Sequence, residues 1–278
     1  MSEAKLRVGP LTRAQMLREI GLTTLWQLRQ RPPGEAVEAA PEQGSPIEDE
    51  TAPDAQAPVA KVCAPDERAA AIAAMDWEQL RESVAGCRAC VLCERRRQAV
   101  LGVGDLDADW LFVGEGPGED EDRRGEPFVG TAGRLLDAML RAIDLRRGED
   151  VYIANAVKCR PPGNRTPDAS EIDACLPYLR RQIALLQPRL IVLLGRAAVR
   201  AVLGNDGSLA SLRGRSFGYC AADGSEPPIP VLVTYHPAYL LRTLPDKAKA
   251  WEDLCRARAL MRAVRDQAQR GDGTPEAG

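Results

Sequence analysis

Short, wholly apolar runs alternate with longer stretches in which apolar residues recur every third or fourth position. This pattern begins near residue 69. Four runs read as buried strands: residues 110–113, 151–157, 190–194 and 231–234. Between them, Leu135, Leu136, Met139, Leu140 and Ile143 share one helical face, and so do Ile172, Cys175, Leu176, Leu179, Ile183 and Leu186. Gly195 closes the third run and feeds a short helix reaching about Leu203, and a last helix is predicted over 246–265. Ahead of the strands, Asp76 with Gln79 three residues later forms a capping-box pattern for a helix ending near Ala85. Pro227, Pro228 and Pro230 delimit the start of the fourth strand. The alternation predicts an α/β fold, a three-layer αβα sandwich around a mostly parallel four-stranded sheet. Such sheets bind ligands beyond the carboxyl ends of their strands. That points to segments 114–130, 155–167, 195–196 and 235–242.

The ends of the chain read differently. Met16, Leu17, Ile20, Leu25, Trp26 and Leu28 fall at roughly helical spacing, so residues 1–31 are expected to be a helical segment. Either a packed terminal helix or a docking helix for a replication or repair protein fits it. Residues 32–68 carry seven prolines between Pro32 and Pro65, with few large apolar side chains, and are expected to form a disordered linker. The folded domain is expected over 69–268, with a disordered tail at 269–278. No apolar run is long enough for a membrane span, and no apolar leader stands at the N-terminus, so a cytoplasmic protein with no membrane contact is expected.

Charge changes this picture only slightly. The 278 residues carry a net charge of −3. Residues 1–80 hold 8 basic and 13 acidic groups, and residues 81–278 hold 29 and 27. The folded part is therefore mildly basic, which permits a modest DNA footprint without demonstrating one.

Eight cysteines matter more: Cys63, Cys87, Cys90, Cys93, Cys159, Cys175, Cys220 and Cys255. In a reducing compartment they are poor disulfide candidates. Cys87 and Cys90 form a CxxC unit, and fifteen residues separate Cys159 from Cys175. Four thiolates suit zinc or an iron–sulfur cluster, and spacing alone does not choose. Cys93 competes as a ligand. Cys175 also fits a buried thiol on an apolar helix face, and Cys63, Cys220 and Cys255 have no partner pattern. The one histidine, His236, excludes zinc sites that need two.

Three motifs occupy the predicted cleft. The first is GEGPGEDEDRRGEPFVGTAG, residues 114–133. It lacks the third glycine of a dinucleotide fingerprint, because Glu119 stands there, and has no Gly-Lys-Ser/Thr. An acidic turn explains Glu119 to Asp122 but not the glycines beside them, which let backbone approach a ligand. The second is NAVKCRPPGNRTP, residues 155–167; Asn155 offers both a donor and an acceptor at a strand end. Lys158, Arg160 and Arg165 could face phosphates or solvent. The third is VTYHPAYLLR, residues 233–242, which places His236 on a loop after a strand.

Together, these motifs, their order and the cysteine spacing resemble the iron–sulfur, family 4 uracil-DNA glycosylases, from about Cys87 to the last helix. The related covalent uracil-binding branch has a histidine-containing basic insert after the first motif, where this chain has Asp122-Arg123-Arg124-Gly125. The resemblance implies hydrolysis of the bond between uracil and deoxyribose in DNA, on a base flipped out of the helix, with non-turnover binding of uracil-DNA as the alternative. It implies that Phe128 stacks on the base, that Asn155 reads its edge, and that Glu121 crowds ring carbon five against thymine's methyl. His236 donates to the departing ring oxygen, helped by backbone near Gly116. Glu115 is the candidate for holding the attacking water, and Asn164 for placing water or phosphate. Tyr239, Leu240 or Leu241 fills the gap left by the base, and Arg242 touches phosphate. A [4Fe–4S] cluster on Cys87, Cys90, Cys159 and Cys175 is implied, in a protein expected to be a monomer.

Overall fold

The computed structural model describes residues 67–220 and 228–271. The helical segment expected over 1–31 lies outside the described residues, as does the expected linker apart from its last two residues. Those two open a helix, α1 (Glu67–Ala73), where the sequence predicts disorder. Next comes α2 (Trp77–Gly86). Here Asp76 Oδ1 accepts the Gln79 N–H at 2.9 Å and Gln79 Oε1 accepts the Asp76 N–H at 3.0 Å, the reciprocal cap read from the sequence. The order continues β1 (Val103–Gly104), β2 (Trp110–Gly114), α3 (Glu119–Arg124), α4 (Thr131–Ala142), β3 (Val151–Asn155), α5 (Ala169–Leu186), β4 (Leu190–Leu194) and α6 (Arg196–Leu203). It ends with α7 (Leu209–Leu212), β5 (Phe217–Tyr219), β6 (Ile229–Thr234), α8 (Pro237–Arg242) and α9 (Lys247–Gly271).

The sheet has six strands in the order β1-β3-β2-β4-β6-β5, not four. The four expected strands form its parallel centre: β2 pairs with β3 and β4, and β4 with β6. The two added strands are short antiparallel edges, β1 on β3 and β5 on β6. Pro230, expected to precede the fourth strand, lies inside β6 and pairs with Gly218 of the edge strand. The acidic turn at Glu119 is a helix, and so is much of the expected loop at 235–242. The last helix runs past the expected 265 and into the segment read as a tail.

Alternation along each strand sends side chains to two cores. Leu111, Val113, Tyr152, Ala154, Ile191 and Leu193 meet α1, α2, α5 and α6 through Ile72, Leu80, Val84, Leu179 and Ala198. Trp110, Phe112, Ile153, Val192 and Leu194 meet α4, α8 and α9 through Leu136, Leu140, Leu240, Leu254 and Ala257. β2, β3 and β4 are buried at every position, which is why they read as continuous apolar runs. The chain leaves β2 towards β3 on one side and β4 towards β6 on the other. The loops after β2 and β4 therefore diverge and open a crevice at the carboxyl ends of the strands.

Candidate functional site

That crevice is a cleft of about 1050 Å³. All four segments expected to bear chemistry reach its wall: Glu115 and Gly116 after β2, Asn155 and Asn164 from the second motif, Gly195 and Arg196 after β4, and His236 after β6. Glu121 and Phe128 line it too. The Glu121 carboxylate is already engaged by backbone. Oε2 accepts the Gly118 N–H at 3.1 Å, and Oε1 accepts the Val129 and Gly130 N–H groups at 2.9 and 3.0 Å. Glu121 thus braces the two halves of the first motif against each other while remaining on the cleft wall.

Phe128, Asn155 and His236 converge. The Phe128 ring lies 5.4 Å from the His236 ring at an interplanar angle of 31°. Phe128 holds φ at 56°, a left-handed conformation that a bulky residue adopts only when its surroundings impose it. Gly114 lets Phe128 and Asn155 meet: a Cβ there would overlap Asn155 Oδ1 and stand 2.5 Å from Phe128 Cζ. Asn155 is 2% exposed, and its Oδ1 has no hydrogen-bond partner among the described residues.

His236 is the N-cap of α8, and its Nδ1 accepts the Ala238 N–H at 3.2 Å. A nitrogen that accepts carries no proton, so the neutral ring holds its proton on Nε2. Burial, reinforced by the charge of Arg242, pushes His236 down to about 4. The imidazole is therefore neutral at ordinary pH and has one N–H left to donate.

The remaining expected residues divide. Arg242 lines the cleft. Asn164 also lines it, but its Oδ1 accepts from Arg160 Nε at 2.7 Å, which leaves the amide NH₂ as its free end. Tyr239 is on the wall, yet its hydroxyl donates to Asp246 at 2.6 Å and its ring stacks on Tyr235, so it is tied back. Leu240 is 1% exposed in the core beneath α8 and cannot fill a gap in DNA. Leu241 is 41% exposed and is the one apolar side chain of the three that projects outward.

Five of the cysteines gather around a second, smaller cavity, while Cys220 and Cys255 are exposed and Cys63 lies outside the described residues. Cys87, Cys90, Cys93, Cys159 and Cys175 line one small cavity with Arg96 and Lys158. Arg96 Nη1 donates to Cys159 Sγ at 2.9 Å, Arg68 Nη2 to Cys87 Sγ at 3.8 Å, and the Lys158 N–H to Cys175 Sγ at 3.3 Å. Burial raises Cys87, but the Ala89 backbone, Tyr178 and Arg68 outweigh it and leave this thiol below its ordinary value. Burial pushes Cys175 up to about 12, against the opposing charge of Lys158. Burial also keeps Cys90 and Cys159 above their ordinary values, and the cationic and N–H donors aimed at sulfur offset part of that cost, so the donor set fits an anionic metal–sulfur group. No three His, Cys, Asp or Glu among the described residues have the spacing of a single-ion site.

Comparison with known proteins places this arrangement. The model of the uracil DNA glycosylase superfamily matches residues 101–255. The type-4 uracil-DNA glycosylase of Pyrobaculum aerophilum is 44% identical over 169 residues, covering 60% of this chain and 86% of that protein. That of Thermotoga maritima is 43% identical over 188 residues, covering 66% and 94%. The chain belongs to the type-4 uracil-DNA glycosylase family. The type-5 uracil-DNA glycosylase of Thermus thermophilus is less similar, 29% identical over 197 residues, covering 58% and 87%.

Within this type-4 framework several supporting residues carry no sequence signal of their own. Arg147 donates to the Pro127 and Phe128 carbonyls, both at 2.8 Å, and is itself held by Asp137. It clamps Phe128 in its strained conformation from outside the cleft. Asp253 accepts from Thr234 Oγ1 at 2.7 Å and from Arg213 Nε at 2.6 Å, and the Arg213 guanidinium lies 4.8 Å over the Tyr235 ring. That network fixes the strand end that delivers His236. An arginine in a turn, like Arg147 or Arg213, or an aspartate in a helix, like Asp137 or Asp253, reads as solvated surface unless the partner brought by the fold is known. No helix among the described residues is long and apolar enough to cross a membrane.

Proposed function

We propose that this chain hydrolyses the bond between uracil and deoxyribose in DNA, releasing free uracil and leaving an abasic site. The Asn155 carboxamide carries the reading. A buried amide oxygen without a partner costs about 1–3 kcal/mol, and the N3–H of uracil would satisfy it. The Asn155 NH₂ would meet uracil O4. Cytosine presents an acceptor and a donor in the reverse order and would be rejected. The names of the relatives support the same substrate.

The base would enter the cleft flipped from the helix, with Phe128 against its face. Glu121, held rigid by three N–H groups, would crowd ring carbon five against a thymine methyl. The C1′–N1 bond breaks with its electron pair passing to uracil, and a water oxygen bonds to C1′. Negative charge on O2 of the departing ring meets the His236 Nε2–H, aided by backbone near Gly116. Glu115 would hold the water and take its proton, which leaves to solvent or to the uracil anion. Arg242 and the Asn164 amide would take phosphate or water, and Leu241 would fill the vacated place in the stack. One chain supplies the whole cleft, so a monomer suffices.

Cys87, Cys90, Cys159 and Cys175 would hold a [4Fe–4S] cluster, with Cys93 beside them. When bound, it would supply a cross-link between the segment after α2 and the second motif, and the hydrolysis transfers no electrons. Support comes from the five thiols around one cavity and the Arg96, Arg68 and Lys158 donors on their sulfurs. An Asn155→Ala variant tests the pocket. Single-turnover uracil release should fall at least about 100-fold with the fold intact. An unchanged rate would remove Asn155 from the pocket.

A further inference from the structure

Lys158 stands between the thiol site and the base-reading amide, and no step of the hydrolysis uses it. It is 1% exposed. Its ammonium donates to the Asn155 carbonyl oxygen at 2.8 Å and to Gln182 Oε1 at 2.5 Å. Its own N–H reaches Cys175 Sγ, and its carbonyl accepts the Val100 N–H at 2.8 Å. Gln182, also fully buried, donates onward to the Leu101 carbonyl at 3.0 Å and to Tyr152 Oη at 3.2 Å. Burying a lysine sacrifices both hydration and side-chain entropy, so a lysine held this way needs compensating contacts. Both acceptors of its ammonium are neutral oxygens, and one belongs to Asn155 itself. Asn155 is the last residue of β3, and the peptide that follows it is held at both ends: the Ala156 N–H donates to the Gly114 carbonyl at 2.9 Å, and Lys158 grips the Asn155 carbonyl. Rotation there would swing the carboxamide away from Phe128 and Gly114.

We propose that Lys158 is a positioning residue that sets the angle of the Asn155 carboxamide by gripping its main-chain carbonyl. This rests on the reading of the cleft as a uracil pocket. It assigns the lysine of the second motif to the interior of the protein, not to DNA phosphate.

The test is a double-mutant cycle on the purified full chain, followed by single-turnover release of uracil from a single-stranded oligonucleotide. Lys158→Met should slow release about tenfold or more in the otherwise unchanged protein, and less than about twofold when Asn155→Ala is already present. Iron content and visible absorbance should stay at the parent level, because the Lys158 N–H to Cys175 survives the substitution. Equal losses in both backgrounds, or no loss in the first, would overturn the proposal. Loss of iron alongside the rate would overturn it too, by moving the lysine's role to the thiols. If Lys158→Met does not fold, Gln182→Met releases one of the two acceptors and should give a smaller loss, about threefold, that also vanishes beside Asn155→Ala. An unchanged rate in Gln182→Met would then count against the proposal. Failure of the parent protein to release uracil would instead strike the uracil reading.

Discussion

His236 Nδ1 accepts the N–H of Ala238 at 3.2 Å, and this bond fixes the tautomer of the chain's one histidine. Its structural task and the chemical task proposed for it are thereby linked: the cap on α8 commits one nitrogen, and the other is left to donate.

Burial of the same ring makes stability depend on pH. An unfolded histidine titrates near 6.5, and burial with the Arg242 charge pushes His236 to about 4 in the fold. Its contribution is fully present above pH 6.5 and is lost as pH falls through about 4, because the unfolded chain binds the proton first. The shift corresponds to about 3 kcal/mol across that window. Urea unfolding at a series of pH values should show this slope, and His236→Asn, which can still cap the helix, should lack it. An identical slope in both proteins would contradict the assignment.

Leu240 and Leu241 are neighbours with opposite duties. Leu240→Ala empties part of the core and should cost about 2–5 kcal/mol of stability. Leu241→Ala should change stability by less than about 0.5 kcal/mol. It should, however, slow uracil release from duplex about tenfold more than from a single strand, since only the duplex has a stack to refill. Thermal melts and paired rate measurements separate them, and the reverse pattern would show that α8 is misassigned.

Arg147 should act on binding more than on chemistry. Arg147→Met frees the Phe128 carbonyl and lets the left-handed φ of 56° relax. On the proposed reading Phe128 stacks on the base in ground and transition states alike, so KM should rise about tenfold while kcat is little changed. A fall in kcat at constant KM would show instead that the clamp serves the reacting bond.

The thiols should act as a unit. Cys159→Ala should lose iron, visible colour and solubility together, and Arg96→Met should weaken iron retention by removing the donor on Cys159 Sγ. Iron analysis and absorbance check both. A soluble, active, colourless Cys159→Ala protein would contradict a structural cluster.

The four parallel strands were legible because burial on both faces leaves no polar interruption, and the Asp76–Gln79 cap because its chemistry is local. The edge strands Val103–Gly104 and Phe217–Tyr219 were not, because two or three residues carry no periodicity and pairing alone defines them. The candidate site residues were legible as motifs, but how the fold divides them was not. Leu240 and Leu241 look equivalent until the turn of α8 buries one and exposes the other. Glu121 reads as a free acid until the fold brings three N–H groups to it. Lys158 reads as facing phosphate or solvent beside Arg160, and only the packing of α5 shows it facing inward.

The most direct measurement is multiple-turnover base release. The purified full chain is incubated with excess single-stranded oligonucleotide holding one uracil, abasic sites are cleaved with alkali, and thymine and hypoxanthine substrates run beside it. The expected result is many turnovers at uracil and none at thymine, with the rate reduced about 100- to 1000-fold in His236→Ala. No cleavage by protein that retains its iron, or cleavage that stops at one equivalent with a stable protein–DNA adduct, would contradict a hydrolytic glycosylase.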